Sequence, residues 1–150
     1  AERKWAHAYL THGFFDLLGQ RMADEVVMMV AETASGEVVA AALNLLGADT
    51  LYGRYWGCAE AGRFLHFELC YYRAIDFALE RGLARVEAGA QGEHKGQRGY
   101  LPQRTWSAHR IIHPGLRRAV AGFLDVERKA IEDEIAQIEA DSPFRCDLSR

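Results

Sequence analysis

The chain predicts an α+β fold on three observations. Two aliphatic, partly β-branched runs, Val26 to Ala31 and Glu37 to Leu46, flank a Ser35-Gly36 turn signal and read as an antiparallel hairpin. An aromatic-rich amphipathic segment from Leu65 ends at Gly82 and leads at once into another strand-like run. A meander that feeds a strand–helix–strand crossover gives a mixed sheet flanked by helices.

Leu10 to Ala23 opens the pattern as a helix. Thr11 stands where a cap is needed, and Phe14, Phe15, Leu17, Leu18 and Met22 supply an apolar face. Val26 to Ala31 is too short and too β-branched to prefer a helix. After the hairpin, Gly47-Ala48-Asp49 turns the chain into a third strand, Thr50 to Trp56. Strict alternation puts Leu51, Gly53 and Tyr55 on one face and Tyr52, Arg54 and Trp56 on the other.

In the next helix, steps of about 100° per residue align Phe67, Cys70, Tyr71, Ala74, Ile75 and Ala78. His66, Arg73, Asp76 and Glu80 fall opposite, toward water, and Glu68 lies at the flank of the stripe. Gly82 suits the left-handed C′ position. Leu83 to Ala90 reads as a fourth strand and Thr105 to Ile112, after Pro102, as a fifth. Pro114 starts a long last helix. Its charged second half keeps a thin stripe of Ile131, Ile135 and Ile138, which packs on a neighbour or projects.

The 150 residues fit a single domain, with a charged fraction of 26% and a net charge of −3. That balance excludes a general polyanion binder. No Asp or Glu falls between His94 and Leu124, whereas Lys95, Arg98, Arg104, Arg110, Arg117 and Arg118 do. Such a local basic surface suits an anionic ligand. Cys58, Cys70 and Cys146 are too widely spaced for a zinc site and read as cytosolic thiols, so a cytoplasmic location is expected, with no metal and no membrane span. The start, Ala1-Glu2-Arg3-Lys4-Trp5, has no initiator Met and suggests a piece of a longer polypeptide. A fragment of that kind is expected to expose apolar surface and to self-associate as a homo-oligomer.

The loop after the fourth strand carries the densest chemistry. Gln91, Glu93, His94, Lys95 and Arg98 sit among Gly89, Gly92, Gly96 and Gly99. It is not a Walker loop, since no GK[ST] follows.

The runs TLYGRYWGC, FLHFELCYYRAIDFALERGL, EAGAQGEHK and RGYLP followed by SAHRI resemble a bacterial family of FemA/FemB-like, GNAT-related N-acyltransferases, loosely described as peptidoglycan biosynthesis proteins. The likeness covers nearly the whole chain, and the chain is similar to the C-terminal half of such tandem proteins. It implies a GNAT-like mixed sheet flanked by helices. It also implies transfer of an acyl or aminoacyl group to a small-molecule or peptidyl amine, with acyl-CoA or aminoacyl-tRNA as donor. The RxxGxG/A pattern of acetyl-CoA users is missing: the segment before the helix is Cys58-Ala59-Glu60-Ala61-Gly62-Arg63. Two alternatives stand beside transfer. One is a non-catalytic binding half. The other is a tRNA-dependent transferase whose basic segment faces the acceptor stem.

Acyl transfer needs a base for the amine and donors for the oxyanion. Glu68 is one candidate, because an apolar flank raises a carboxyl pKa; the alternative is a structural pair with Arg54 or Arg85. Glu87 shares a strand face with Arg85 and Gly89, as a pair or in a cleft. Glu87 and Glu68 are expected to converge with the loop, each pushing the other's pKa. His94 serves as a base or, with Lys95, as an anion binder; otherwise the loop is solvated. Gln91, Lys95 and Arg98 are substrate-binding candidates, joined by Arg54, Tyr55 and Tyr72. The aromatics Tyr52, Tyr55, Trp56, Tyr71 and Tyr72 wall an acceptor pocket or pack the core. His109 and His66 read as a satisfied strand residue and a solvated one. Cys70 makes a weak nucleophile.

Overall fold

A computed structural model describes residues 10–59, 62–89 and 93–142, with Glu93 and His94 described by their backbone alone. The chain forms two compact units, one up to Ala90 and one from Gln91. The first begins with helix α1, His12–Arg21, and continues through strands β1 (Val26–Glu32), β2 (Val38–Leu46) and β3 (Thr50–Cys58). Thr11 has the extended backbone of a cap, but its side chain makes no capping bond.

Helix α2 spans residues 65–81 as Leu65–Phe67, a π-helical turn Glu68–Tyr72, and Arg73–Arg81. Strand β4 is Arg85–Glu87. The sheet order is β1-β2-β3-β4, antiparallel through the meander and parallel between β3 and β4. This is the mixed α+β sheet expected.

The hairpin turns where the sequence requires it. Gly36 adopts φ 83° and donates to the Thr33 carbonyl at 2.9 Å, a conformation that suits a residue without Cβ. Strand β4 is shorter than the predicted Leu83 to Ala90. Leu83 N–H is taken by the Ala78 carbonyl, as part of the helix cap at Gly82 (φ 64°). Ala84 N–H goes to the Asp49 carbonyl, and Gly89 turns left-handed at φ 78°. Ala90 lies outside the described residues.

The core sits between α2 and one face of the sheet. Ala40, Ala42 and Leu69 are buried there, with Met29, Ala31, Trp56, Leu65 and Cys70 packed around them. On the same face Leu51 is fully buried, worth about 1.5–3 kcal/mol of apolar transfer. Asn44 is buried beside it, its amide donating to the Val27 and Ala42 carbonyls.

Two irregularities shift the predicted faces. Between β2 and β3, Leu43 pairs with Tyr55 but Asn44 pairs with Gly53, so Arg54 is an extra residue in a β-bulge. The alternation therefore slips: Leu51 and Trp56 lie under α2, whereas Tyr55 faces the other way with Arg54. The π turn inserts one residue into α2, rotating the helix before it by one position. Leu69 is buried where a regular helix would bury Cys70, which is only half-buried. For the same reason His66 is not on the water face. It lies among the rings of Trp56, Phe67 and Tyr71, at 5.3, 5.5 and 5.6 Å.

In the second unit, a 3₁₀ segment, Glu93–Arg98, closes at Gly99 (φ 85°). The predicted strand Thr105 to Ile112 does not form, and the segment has no regular structure. Trp106 and Ile112, six residues apart and so on one face of any such strand, are both largely exposed, so that face is left without cover among the described residues. His109 is satisfied by the Ser107 hydroxyl at 3.0 Å, though not on a strand.

Helix α3, Pro114–Ala140, carries Pro114 in its first turn, and His113 Nδ1 accepts from Leu116 N–H at 3.2 Å. Arg104 grips Glu132 of this helix with a forked guanidinium. Ile135 is buried and Ile138 approaches Gly96, while Ile131, Phe123 and Val126 stay exposed.

Candidate functional site

The site is built where the parallel pair opens. β3 and β4 pair over Thr50–Arg85, Leu51–Val86 and Tyr52–Glu87, and then part. β3 runs on to Cys58, and among the described residues no strand pairs with that edge. A crevice beyond the carboxyl ends of parallel strands is where open sheets bind ligands. Gly53 stands at the fork. A Cβ there would meet the Glu87 carbonyl at 3.3 Å, so the two strands approach closely before separating.

Unusual backbone gathers along the same stretch. The bulge places Arg54 and Tyr55 on one face. Phe64 holds a left-handed φ of 64°, costly for a bulky side chain, just before α2 begins. The π turn at Glu68–Tyr72 follows it. Bulges, strained residues and π turns all concentrate at functional sites. None of the three was visible in the sequence, because side-chain period and turn chemistry carry no mark of an inserted residue or of a left-handed phenylalanine.

The structure gathers some predicted residues and separates others. Glu87 is exposed and pairs in register with Tyr52. Tyr52 in turn lies opposite Leu45, on the sheet face turned away from α2. Arg54 and Tyr55 share that face, and the Arg54 guanidinium stacks over the Tyr55 ring at 4.8 Å. Three candidates, Glu87, Arg54 and Tyr55, thus share one face.

Glu68 does not join them. It rides on α2, over the opposite face, so the expected meeting of two carboxylates does not occur. Its side chain is half-exposed, not flanked by core, and accepts from Arg73 Nε at 2.9 Å on its own helix. The π turn makes an i,i+5 pair the close one. Neither sheet arginine partners it: Arg85 is held by Asp49 at 2.9 Å, and Arg54 by the Tyr55 ring. Tyr72 is exposed on the same π turn.

The loop candidates belong to the second unit. Lys95 is half-buried, and burial pulls its ammonium pKa below the ordinary lysine value. Arg98 is also half-buried. Gln91, Cys146 and the side chain of His94 lie outside the described residues.

Burial pushes the Cys70 thiol up to about 11, which suppresses the thiolate at neutral pH and agrees with a poor nucleophile. At Asp49 a hydrogen bond from Thr50 and the charge of Arg85 hold the carboxyl below its usual range. Among the described residues, no three His, Cys, Asp or Glu side chains are grouped to hold a metal, and no helix is long and apolar enough to cross a membrane.

Fold and crevice define a mixed α+β domain with an opening at a parallel strand fork. The FemAB-like family model, described as peptidoglycan biosynthesis/recognition, matches residues 1–146, and the chain belongs to that family. A solved structure from Pyrococcus furiosus, described as a "Putative acetyl transferase", is similar at 13% identity with a TM-score of 0.49, over 73% of this chain and 86% of that one. Likeness at that level carries no inference about activity. No curated protein matches the chain.

Proposed function

We propose that this chain moves an acyl or aminoacyl group onto an amine, using the crevice beyond Tyr52 and Glu87. The observation that carries the reading is the fork itself: β3 continues past its pairing with β4, with Glu87 exposed at the parting. Family membership over residues 1–146 supports it. In the reaction a C–N bond forms as the donor's C–S or C–O ester bond breaks. Glu87 takes a proton from the acceptor's ammonium, the free amine attacks the donor carbonyl, and the second proton lost by that nitrogen goes to the leaving thiolate or alkoxide. Arg54 and Tyr55 line the acceptor side. Glu68 and Tyr72 shape the π turn over the other face. The donor is acyl-CoA or aminoacyl-tRNA.

The test is a mass-shift assay of a lysine-containing peptide, incubated with this protein and either donor. One acyl mass added is the expected result. Glu87→Gln should lower turnover by about 10²–10⁴-fold with the fold intact, as loss of a general base does. No added mass with either donor sinks the transfer reading. Full activity in the variant removes Glu87 from the chemistry. If tRNA is the donor, binding falls steeply with salt, whereas acyl-CoA binding falls far less.

A further inference from the structure

The sheet face turned away from α2 is incompletely filled. Leu10, together with Phe14 and Leu18 of α1, roofs a pocket of about 210 Å³ over Leu43, Leu45, Arg54 and Tyr55. Close-packed interiors leave few gaps larger than a water molecule. None of the α1 residues is buried, so the helix spans the gap without closing it.

The lining is apolar except at one wall, where Arg54 stands. The bulge re-aims Arg54 onto this face, and its guanidinium lies over the Tyr55 ring at 4.8 Å. Among the described residues Arg54 has no carboxylate partner, unlike Arg73, Arg85, Arg104 and Arg128.

We propose that this pocket binds a carboxylate carrying one apolar group, either aromatic or branched aliphatic. Size supports the apolar part: an apolar cavity of roughly 150 Å³ accommodates benzene, so this one holds a phenylmethyl or isobutyl group. A planar guanidinium beside an apolar slot supports the carboxylate, which it meets with two parallel N–H donors. The pocket and Glu87 share a sheet face, so the inference deepens the transfer reading. It rests on that reading for the ligand's role as substrate. Binding itself needs no turnover, so a silent transfer assay with intact binding separates the two failures.

The experiment is calorimetry on this chain with 3-phenylpropanoate, 4-methylpentanoate and 3-phenylpropanamide. The carboxylates should bind at least tenfold tighter than the amide. Arg54→Gln should erase that difference. Leu18→Trp, which fills the slot from the roof, should abolish binding with an unchanged melting temperature; should it unfold, Leu45→Phe fills the slot from the sheet. A phenylalanine-ended peptide, with its terminus free or amidated, tells the source. Binding of the free terminus points to a peptide end, and binding of the small acids alone to a free acid. Equal binding of acid and amide overturns the proposal. So do wild-type affinity in a folded slot-filling variant and no heat at millimolar concentration.

Discussion

The two faces of the sheet are made from the same strands and serve different ends. Under α2, small residues on β2, Ala40 and Ala42, let the helix settle close, and Leu51, Asn44, Leu69 and Ala74 are all sealed. Under α1, larger residues, Leu43 and Leu45, hold the roof away, and Phe14, Phe15 and Leu17 stay partly exposed. Close packing spends one face on stability. The looser face keeps a pocket, an arginine and a strand-end carboxylate. Residues within a core make poor sites because nothing can reach them, and site residues contribute less to the core because they are left open.

The largest expected effect tests that division by stability. Leu51→Ala should cost about 2–5 kcal/mol, because a fully buried leucine leaves a cavity. Leu45→Ala, on a pocket wall that is already open, should cost about 1 kcal/mol or less, as cavity cost depends on what the deletion empties. Urea unfolding of both variants gives the comparison, and equal losses would erase the contrast between the faces.

A second, smaller effect probes the α2 side through Cys70. Its thiol pKa is raised from 9.0 to about 11 by burial, so the folded state keeps a proton that the unfolded state gives up. Its contribution to stability is therefore full below pH 9.0 and is lost as pH rises toward about 11. Cys70→Ala should flatten that part of the pH–stability curve. The exposed Cys58 should also react with iodoacetamide much faster than Cys70 at pH 7.5. Similar labelling rates would show that α2 seals less than its packing implies.

The smallest effect concerns the rim where β4 joins. Asp49, paired with Arg85 and bonded by Thr50, has a lowered carboxyl pKa. Its contribution is present above pH 3.8 and fades as pH falls through the lower folded value. Both partners are exposed, so the effect is slight. Asp49→Asn should remove it from acid-unfolding curves, and a large shift in the midpoint at neutral pH would mean that the pair anchors β4 more than exposed pairs do.

Much of the fold was legible. The hairpin about Ser35-Gly36, the third strand, the Gly82 cap and the Pro114 start follow from turn residues and apolar runs, which act within a few neighbours. The predicted fifth strand failed for the opposite reason. Thr105 to Ile112 has β-favouring residues, but among the described residues no strand pairs with it, and a strand needs a partner as well as propensity. Glu87, Arg54 and Tyr55 could be picked out as polar or aromatic residues near a strand end. That they share a face, and that Glu68 does not, could not.

By itself the sequence determined the order and kind of the main elements, because turn chemistry and hydrophobic period are local. Tertiary structure alone decided the faces. One extra residue at Arg54 shifts the phase of β3 beyond it, and one in the π turn after Phe67 shifts the phase of the helix leading into that turn. A side-chain period is blind to such insertions until two elements must fit each other. The same two insertions carry Tyr55 to the pocket, Leu69 and Trp56 to the core, and His66 among the aromatic rings.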